Sequence, residues 1–244
     1  MNTLEVEESG IAQTKKIQLK QGIMSGFPIM LGYFPIAITY GVLAAQSGLT
    51  LLELTGMSIF VYAGAAQFMG TNMLEIGAGA MEIIIATFVL NFRHFVMSLS
   101  FMNRARSFPL RWKFPISLLL TDESFSVASV KTEQTRQPNG SYFYLGMFMT
   151  AYLSWIIGSV FGGILGDIMP DSISQSLGIA LYAMFIALLV PSVKIKYRYG
   201  LIAGIAMVFN YLFSFYLDEG WSIVVSTLLA SFIGIFVIRG MTYA

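Results

Sequence analysis

Residues 83–103 read IIIATFVLNFRHFVMSLSFMN, and Arg93 is the only Asp, Glu, Lys or Arg among them. At about 1.5 Å per residue the stretch matches a hydrocarbon core about 30 Å thick. Backbone polar groups in lipid must be satisfied internally, so such a run predicts a helix. An arginine at the centre of a membrane helix costs about 2.5–3.5 kcal/mol on insertion scales. It persists there when it faces a cavity or a partner, because snorkelling from the middle must reach about 15 Å to either interface.

The rest of the chain repeats this pattern. Residues 21–52, 54–74, 137–166, 172–193, 199–217 and 220–238 lack Asp, Glu, Lys and Arg, and 114–130 is apolar except for Asp122 and Glu123 near its middle. Of 244 residues, 56% are hydrophobic and 11% charged, whereas soluble domains carry about 25% charged residues. The reading is an all-α, polytopic helical membrane protein. It has six to eight membrane segments, some of them broken or re-entrant. Residues 1–20 form a polar cytoplasmic tail and residues 21–244 a single transmembrane helical domain. The acidic leader and the length of the first apolar run fit a cleaved signal peptide badly.

The net charge of +1 gives no field for nucleic acid, and the absence of cysteine excludes disulfides and thiolate chemistry. With His94 as the single histidine, a multi-histidine metal site is excluded as well. No cofactor or metal is expected: there is no P-loop, dinucleotide fingerprint or H-E-x-x-H.

Basic residues cluster at Lys15/Lys16/Lys20, Arg104/Arg106/Arg111/Lys113, Lys131/Arg136, Lys194/Lys196/Arg198 and Arg239. Loops rich in Lys and Arg face the cytoplasm. If every segment crosses from a cytoplasmic N-terminus, the most basic loop, 104–113, falls outside. Making 21–46 and 114–130 non-spanning, broken or re-entrant returns every cluster to the cytoplasm. Pro28 and Pro35, with Gly26 and Gly32, supply breakers for the first, and Asp122 and Glu123 for the second. A faint duplication also relates 33–69 to 152–190, each followed by a segment bearing an asparagine, Asn91 and Asn210; transporters are often built from such repeats.

Six polar residues interrupt the apolar runs: Gln67, Asn91, Arg93, His94, Asp122 and Glu123. Asn91 and His94, three apart, share a helix face, and Arg93 points elsewhere. A fixed cation, an amide and an imidazole suit an amino acid: a cation for its carboxylate, an amide for its ammonium, a titratable group for proton coupling. The bland reading of His94 is a hydrogen-bonded packing residue. Adjacent Asp122 and Glu123 cannot share a face. Either could pair with Arg93 or carry a proton, and both could simply favour a half-helix N-terminus. Gln67 calls for an internal hydrogen bond or a substrate contact. Asn72, Asn210 and Glu82 are weaker candidates, and Gly158, Gly162, Gly163 and Gly166 read as helix packing.

Tyr62-Ala63-Gly64-Ala65-Ala66-Gln67-Phe68 and Asn91-Phe92-Arg93-His94 resemble the two most recognisable motifs of the AzlC family. Asp122-Glu123-Ser124-Phe125 and Leu188-Leu189-Val190-Pro191 fit the same pattern, and the likeness covers about residues 21–200. Tyr182 and Met184 depart from it. The family is the large subunit of branched-chain amino acid exporters. The resemblance implies efflux of leucine, isoleucine, valine and related analogues such as methionine across the cytoplasmic membrane, with a small AzlD-type membrane subunit. A proton or another ion would drive it. The competing readings are a membrane-embedded enzyme and a non-transporting membrane subunit.

Overall fold

A computed structural model describes residues 3–166, 168, 186, 189–190, 193–194, 196–217 and 219–239. The described residues are helical and form no strand. The elements are α1 (Thr3–Gln46), α2 (Leu51–Phe60), α3 (Gly64–Glu75), α4 (Ala80–Arg104), α5 (Leu110–Leu118), α6 (Asp122–Val130), a 3₁₀ turn (Thr132–Arg136), α7 (Gly140–Gly166), α8 (Arg198–Phe213) and α9 (Glu219–Arg239). Three of them contain stretches long and apolar enough to cross a membrane: Thr14–Gln46, Ala80–Arg104 and Gly140–Gly166. The chain divides into two compact units, one of residues 1–67 and 91–168 and one of 68–90 and 169–244.

The first unit is built on α1 and α7, which lie side by side. Their contacts advance together: Gly22 and Gly26 of α1 approach Phe143 and Met147, and Gly41 approaches Ser159 and Gly163. The two helices therefore run parallel. Along α7, Gly146, Thr150, Ser154, Gly158, Gly162 and Gly166 recur every fourth residue and so line one face. A Cβ on Gly146 would stand 2.6 Å from the Leu19 carbonyl oxygen, and one on Gly158 would stand 2.7 Å from Ala37 Cβ. Lipid offers no hydrophobic drive between helices, so close backbone approach and packing hold the pair. The packing role expected of Gly158, Gly162, Gly163 and Gly166 is observed.

The expected break in 21–46 is absent. α1 runs through Pro28 and Pro35 without interruption. Close packing on α7 accompanies the continuity: an added Cβ on Gly26 would meet α7 backbone at 2.6 Å and one on Gly41 would meet it closer still, and Ser154 of α7 donates to the Met30 carbonyl, between the two prolines, at 3.2 Å. Helix-breaking proline is tolerated in membrane helices that are packed against others.

Two other segments are broken. The expected helix 54–74 stops at Phe60 and restarts at Gly64. Tyr62 between them has φ +42°, a left-handed conformation uncommon for a bulky residue. Gln67 hydrogen-bonds back to Ser58 at 3.0 Å. Nine residues of continuous helix would separate the two by about 13.5 Å, beyond the reach of both side chains, so the chain reverses at 61–63. α2 descends antiparallel to α7, with Leu51 and Leu54 near Gly163, Ser58 on Ser159 and the Ile59 carbonyl on Tyr152.

The segment 114–130 breaks as expected, between α5 and α6. Thr121 caps α6 in a reciprocal box with Ser124. Trp112, at the start of α5, stacks near Tyr142 with centroids 4.9 Å apart. Beyond the end of α6, the Lys131 carbonyl accepts from Tyr144 at 2.8 Å. Both ends therefore meet the first turn of α7. The turn between them reaches Tyr33, which packs edge-on against Trp155 midway along α7. α5–α6 is thus a re-entrant hairpin. The same end of the unit gathers Lys15, 5.7 Å above the Tyr142 ring, and the end of α4, where Phe101 packs on Tyr144 at 4.9 Å.

In the second unit, Met73 and Ala86 centre a small apolar cluster, and α8 and α9 form an antiparallel hairpin. Ser222 donates to the Asn210 carbonyl and side-chain oxygens at 2.8 and 2.9 Å, which gives Asn210 a packing role. The second copy of the suspected duplication, the run 172–193, and Tyr182 and Met184 lie largely or wholly outside the described residues.

Candidate substrate site

The breaks at 61–63 and 119–121 face a cavity of about 630 Å³ in the first unit. Phe60, Tyr62, Tyr152, Pro115 and Leu118 give it an aromatic and aliphatic wall, and Asn91, His94 and Ser98 bring one polar face of α4 to it. Asn91 and His94 share that face, as their spacing requires.

Arg93 turns away from this lining. Its guanidinium meets Asp122 at 2.9 Å, joining mid-α4 to the first turn of α6. Asp122 thereby offsets a charge that lipid would reject. Of the two acidic residues expected as possible partners, it is Asp122 that pairs with Arg93: one guanidinium nitrogen is committed to it, while Nε has no partner. Glu123 turns the other way and forms a short hydrogen bond with the buried Tyr33 hydroxyl. That hydroxyl also lies 2.6 Å from Thr121 Oγ1.

Gln67 does not line the cavity. It is fully buried and its amide closes a ring of hydrogen bonds. Gln67 Nε2 donates to Ser58 and Ser58 to Ser159 at 2.9 Å. Ser159 donates to the Trp155 carbonyl at 2.7 Å, and Trp155 Nε1 donates to Gln67 Oε1 at 2.9 Å. This is the internal-hydrogen-bond alternative for Gln67. Gly64 serves the same join, since a Cβ there would stand 2.7 Å from the Trp155 ring. The Gly-Ala-Ala-Gln motif therefore fastens the break at 61–63 to α7.

Sequence reasoning gave no role to Tyr33 or Thr121, and quoted Tyr62 only as the start of the first motif. Tyrosines in an aromatic-rich helix look like packing, and only the fold shows what their hydroxyls touch. Thr121 had a signal in the Thr-x-x-Ser spacing of its cap. Tyr62 Oη, Asn91 Oδ1 and Arg93 Nε are buried without a hydrogen-bond partner. A buried polar atom left unpaired costs about 1–3 kcal/mol; two of these atoms, Tyr62 Oη and Asn91 Oδ1, belong to residues that line the cavity and suit a polar ligand there.

Residues 28–169 match the family described as AzlC protein. The chain belongs to the AzlC family. The matched residues include both breaks, both motifs, α7 and α1 from Pro28 onward. An uncharacterized membrane protein of Archaeoglobus fulgidus is 29% identical over 203 residues, 82% of this chain and 88% of that protein. The inner membrane protein YgaZ of Escherichia coli is 28% identical over 145 residues, 57% of this chain and 58% of that protein. The branched-chain amino acid transport protein AzlC of Bacillus subtilis is 24% identical over 149 residues, 59% of this chain and 58% of that protein. The chain thus spans a little over half the length of the last two. No solved structure matches it. These names support a membrane transport role and point to a transport protein rather than an enzyme.

Proposed function

We propose that this AzlC-family chain is a secondary transporter that exports amino acids with apolar side chains, chiefly leucine, isoleucine and valine, and with them methionine. The observation that carries the reading is the cavity between the two chain breaks, apolar on one wall and polar on the other, with Tyr62 Oη and Asn91 Oδ1 buried and unpaired. Broken helices at mid-membrane are a recurrent way to place substrate sites in transporters. The aromatic and leucine wall suits an aliphatic side chain. Asn91 and Tyr62 suit the polar end of an amino acid. Arg93, with its Nε unpaired, can take the carboxylate by sharing or exchanging Asp122. Export is ion-coupled in this reading. A small AzlD-type membrane subunit completes the transporter, and the basic end of the first unit, which gathers Lys15, Arg104 and Lys131, faces the cytoplasm.

Counterflow in proteoliposomes tests it. Vesicles loaded with unlabelled leucine should take up labelled leucine faster than empty ones. Valine and methionine should compete and histidine should not, with the measurement made with and without the AzlD-type subunit. Properly inserted protein that shows no counterflow under either condition would sink the proposal.

A further inference from the structure

The adjacent carboxyls Asp122 and Glu123 sit in opposite kinds of surroundings. Asp122 faces Arg93, whose guanidinium only donates and stays charged; opposite a fixed cation the ionised carboxyl is the favoured form, because charge-assisted hydrogen bonds are the stronger ones. Glu123 faces hydroxyls. Tyr33 Oη touches Glu123 Oε2 and Thr121 Oγ1, Thr121 Oγ1 lies 3.1 Å from Ser124 Oγ, and Ser124 Oγ lies 3.2 Å from the Thr121 carbonyl oxygen. A hydroxyl both donates and accepts, so this chain can run in either direction. With Glu123 ionised, Tyr33 donates to the carboxylate, Thr121 to the Tyr33 oxygen and Ser124 to the Thr121 carbonyl. With Glu123 protonated, its own O–H donates to Tyr33, Tyr33 to Thr121, Thr121 to Ser124 and Ser124 to the Thr121 carbonyl. Every group is satisfied in both states, and the change needs one proton and rotation of two hydroxyls.

We infer that Glu123 is the proton-carrying group of this transporter, that the Tyr33–Thr121–Ser124 hydroxyls let it gain and lose that proton in place, and that Asp122 stays ionised. The inference rests on the transport reading and deepens it. Its position fits the task. Tyr33 belongs to α1, Glu123 to the re-entrant hairpin, and Tyr62 of the other break and His94 of the cavity lie within electrostatic reach of Glu123. Arg93 faces the neighbouring Asp122, and α7, packed against the hairpin, carries no Asp, Glu, Lys or Arg. Loading or unloading the proton therefore changes the charge beside both walls of the cavity, where it can bias which side opens.

The test separates exchange from coupling in proteoliposomes: labelled-leucine counterflow without a gradient, leucine accumulation under an imposed pH gradient, and proton flux from a trapped pH-sensitive dye. Wild-type protein should show all three. Glu123→Gln, locked in a neutral form, should keep counterflow and lose both gradient-driven accumulation and leucine-dependent proton flux. Accumulation and proton flux at wild-type levels in Glu123→Gln would overturn the inference, as would their loss in His94→Gln alone. Loss of counterflow in monodisperse Glu123→Gln would also overturn it, by making Glu123 a substrate ligand. If Glu123→Gln is not recovered folded, Tyr33→Phe decides. It should keep counterflow and move the pH of half-maximal accumulation, and an unmoved midpoint overturns the inference. Wild-type protein without counterflow withdraws the transport reading and this inference together; coupled wild-type protein whose variants stay coupled withdraws the inference alone.

Discussion

The α1–α7 pair and the two reversing segments, residues 51–67 and α5–α6, obey opposite rules within the first unit. The pair holds two prolines and stays continuous. The reversing segments have no proline at the breaks themselves, where the residues are Val61-Tyr62-Ala63 and Leu119-Leu120-Thr121. Breaker residues therefore did not decide where these membrane helices stop. What differs between them is what each segment packs against. α1 is clamped by glycine contacts along α7 and by the Ser154 hydroxyl. The breaks are held from outside by the Gln67 ring and by the Thr121 cap. The clamped pair is scaffold, and the fastened breaks border the cavity.

The harshest way to break this contrast is at the clamp. Gly162→Leu would drive a side chain into the Ile38 backbone of α1, where an added Cβ already meets the carbonyl carbon at 2.8 Å. No flexible side chain can yield there, so we expect no monodisperse protein on size-exclusion chromatography. Gly32, on the same helix with nothing within 4 Å of an added Cβ, is the control. Gly32→Ala should be neutral or stabilise by up to about 1 kcal/mol, read as an unchanged or raised melting temperature.

Next in size is the ion pair that links α4 to the α5–α6 hairpin. Arg93→Ala should abolish counterflow while the protein still inserts. The side chains of Arg93 and Asp122 are 34% and 28% exposed, so the stability loss should fall below the roughly 3–5 kcal/mol of a fully buried pair. The Arg93→Ala/Asp122→Ala double variant should regain melting temperature and remain inactive. A double variant that regains transport would make the pair purely structural.

Gln67→Ala probes the fastening at 61–63. It leaves Trp155 Nε1 without an acceptor and removes the donor to Ser58, which keeps its bond to Ser159, at about 1–3 kcal/mol. Transport should fall only as far as the folded fraction falls. A well-folded variant with a changed substrate preference would return Gln67 to the substrate contacts. The smallest effect belongs to Tyr62→Phe. The Tyr62 hydroxyl has no partner to lose, so the melting temperature should hold, while half-saturation for leucine should rise by the equivalent of about 0.5–1.5 kcal/mol. An unchanged half-saturation would remove Tyr62 from the binding groups.

Much of this was legible in the residues. The apolar runs required membrane helices, the spacing of Asn91, Arg93 and His94 required the arginine to face away from the other two, and the two motifs carried the family. The basic loop 104–113 suggested that 114–130 is broken, and that segment does break between α5 and α6. The partner segment was misplaced: Pro28 and Pro35 drew attention to 21–46, although the reversal falls at 61–63. Proline removes one backbone donor locally, whereas a helix in lipid breaks where other elements can satisfy what is exposed. Gln67 was legible as a costly amide but not as a saturated one, because its partners lie 9 and 88 residues away in the chain.

By itself, then, the sequence determined the solvent of this protein, its helical class and which polar residues lipid would refuse, since transfer energies belong to side chains one at a time. The tertiary structure decided which of those residues are paired, which saturated and which left open to the cavity. Asp122 and Glu123 are neighbours in sequence and equal in charge; Arg93 from α4 and Tyr33 from α1 give them different chemistry, because a buried charge takes its character from the groups the fold sets against it.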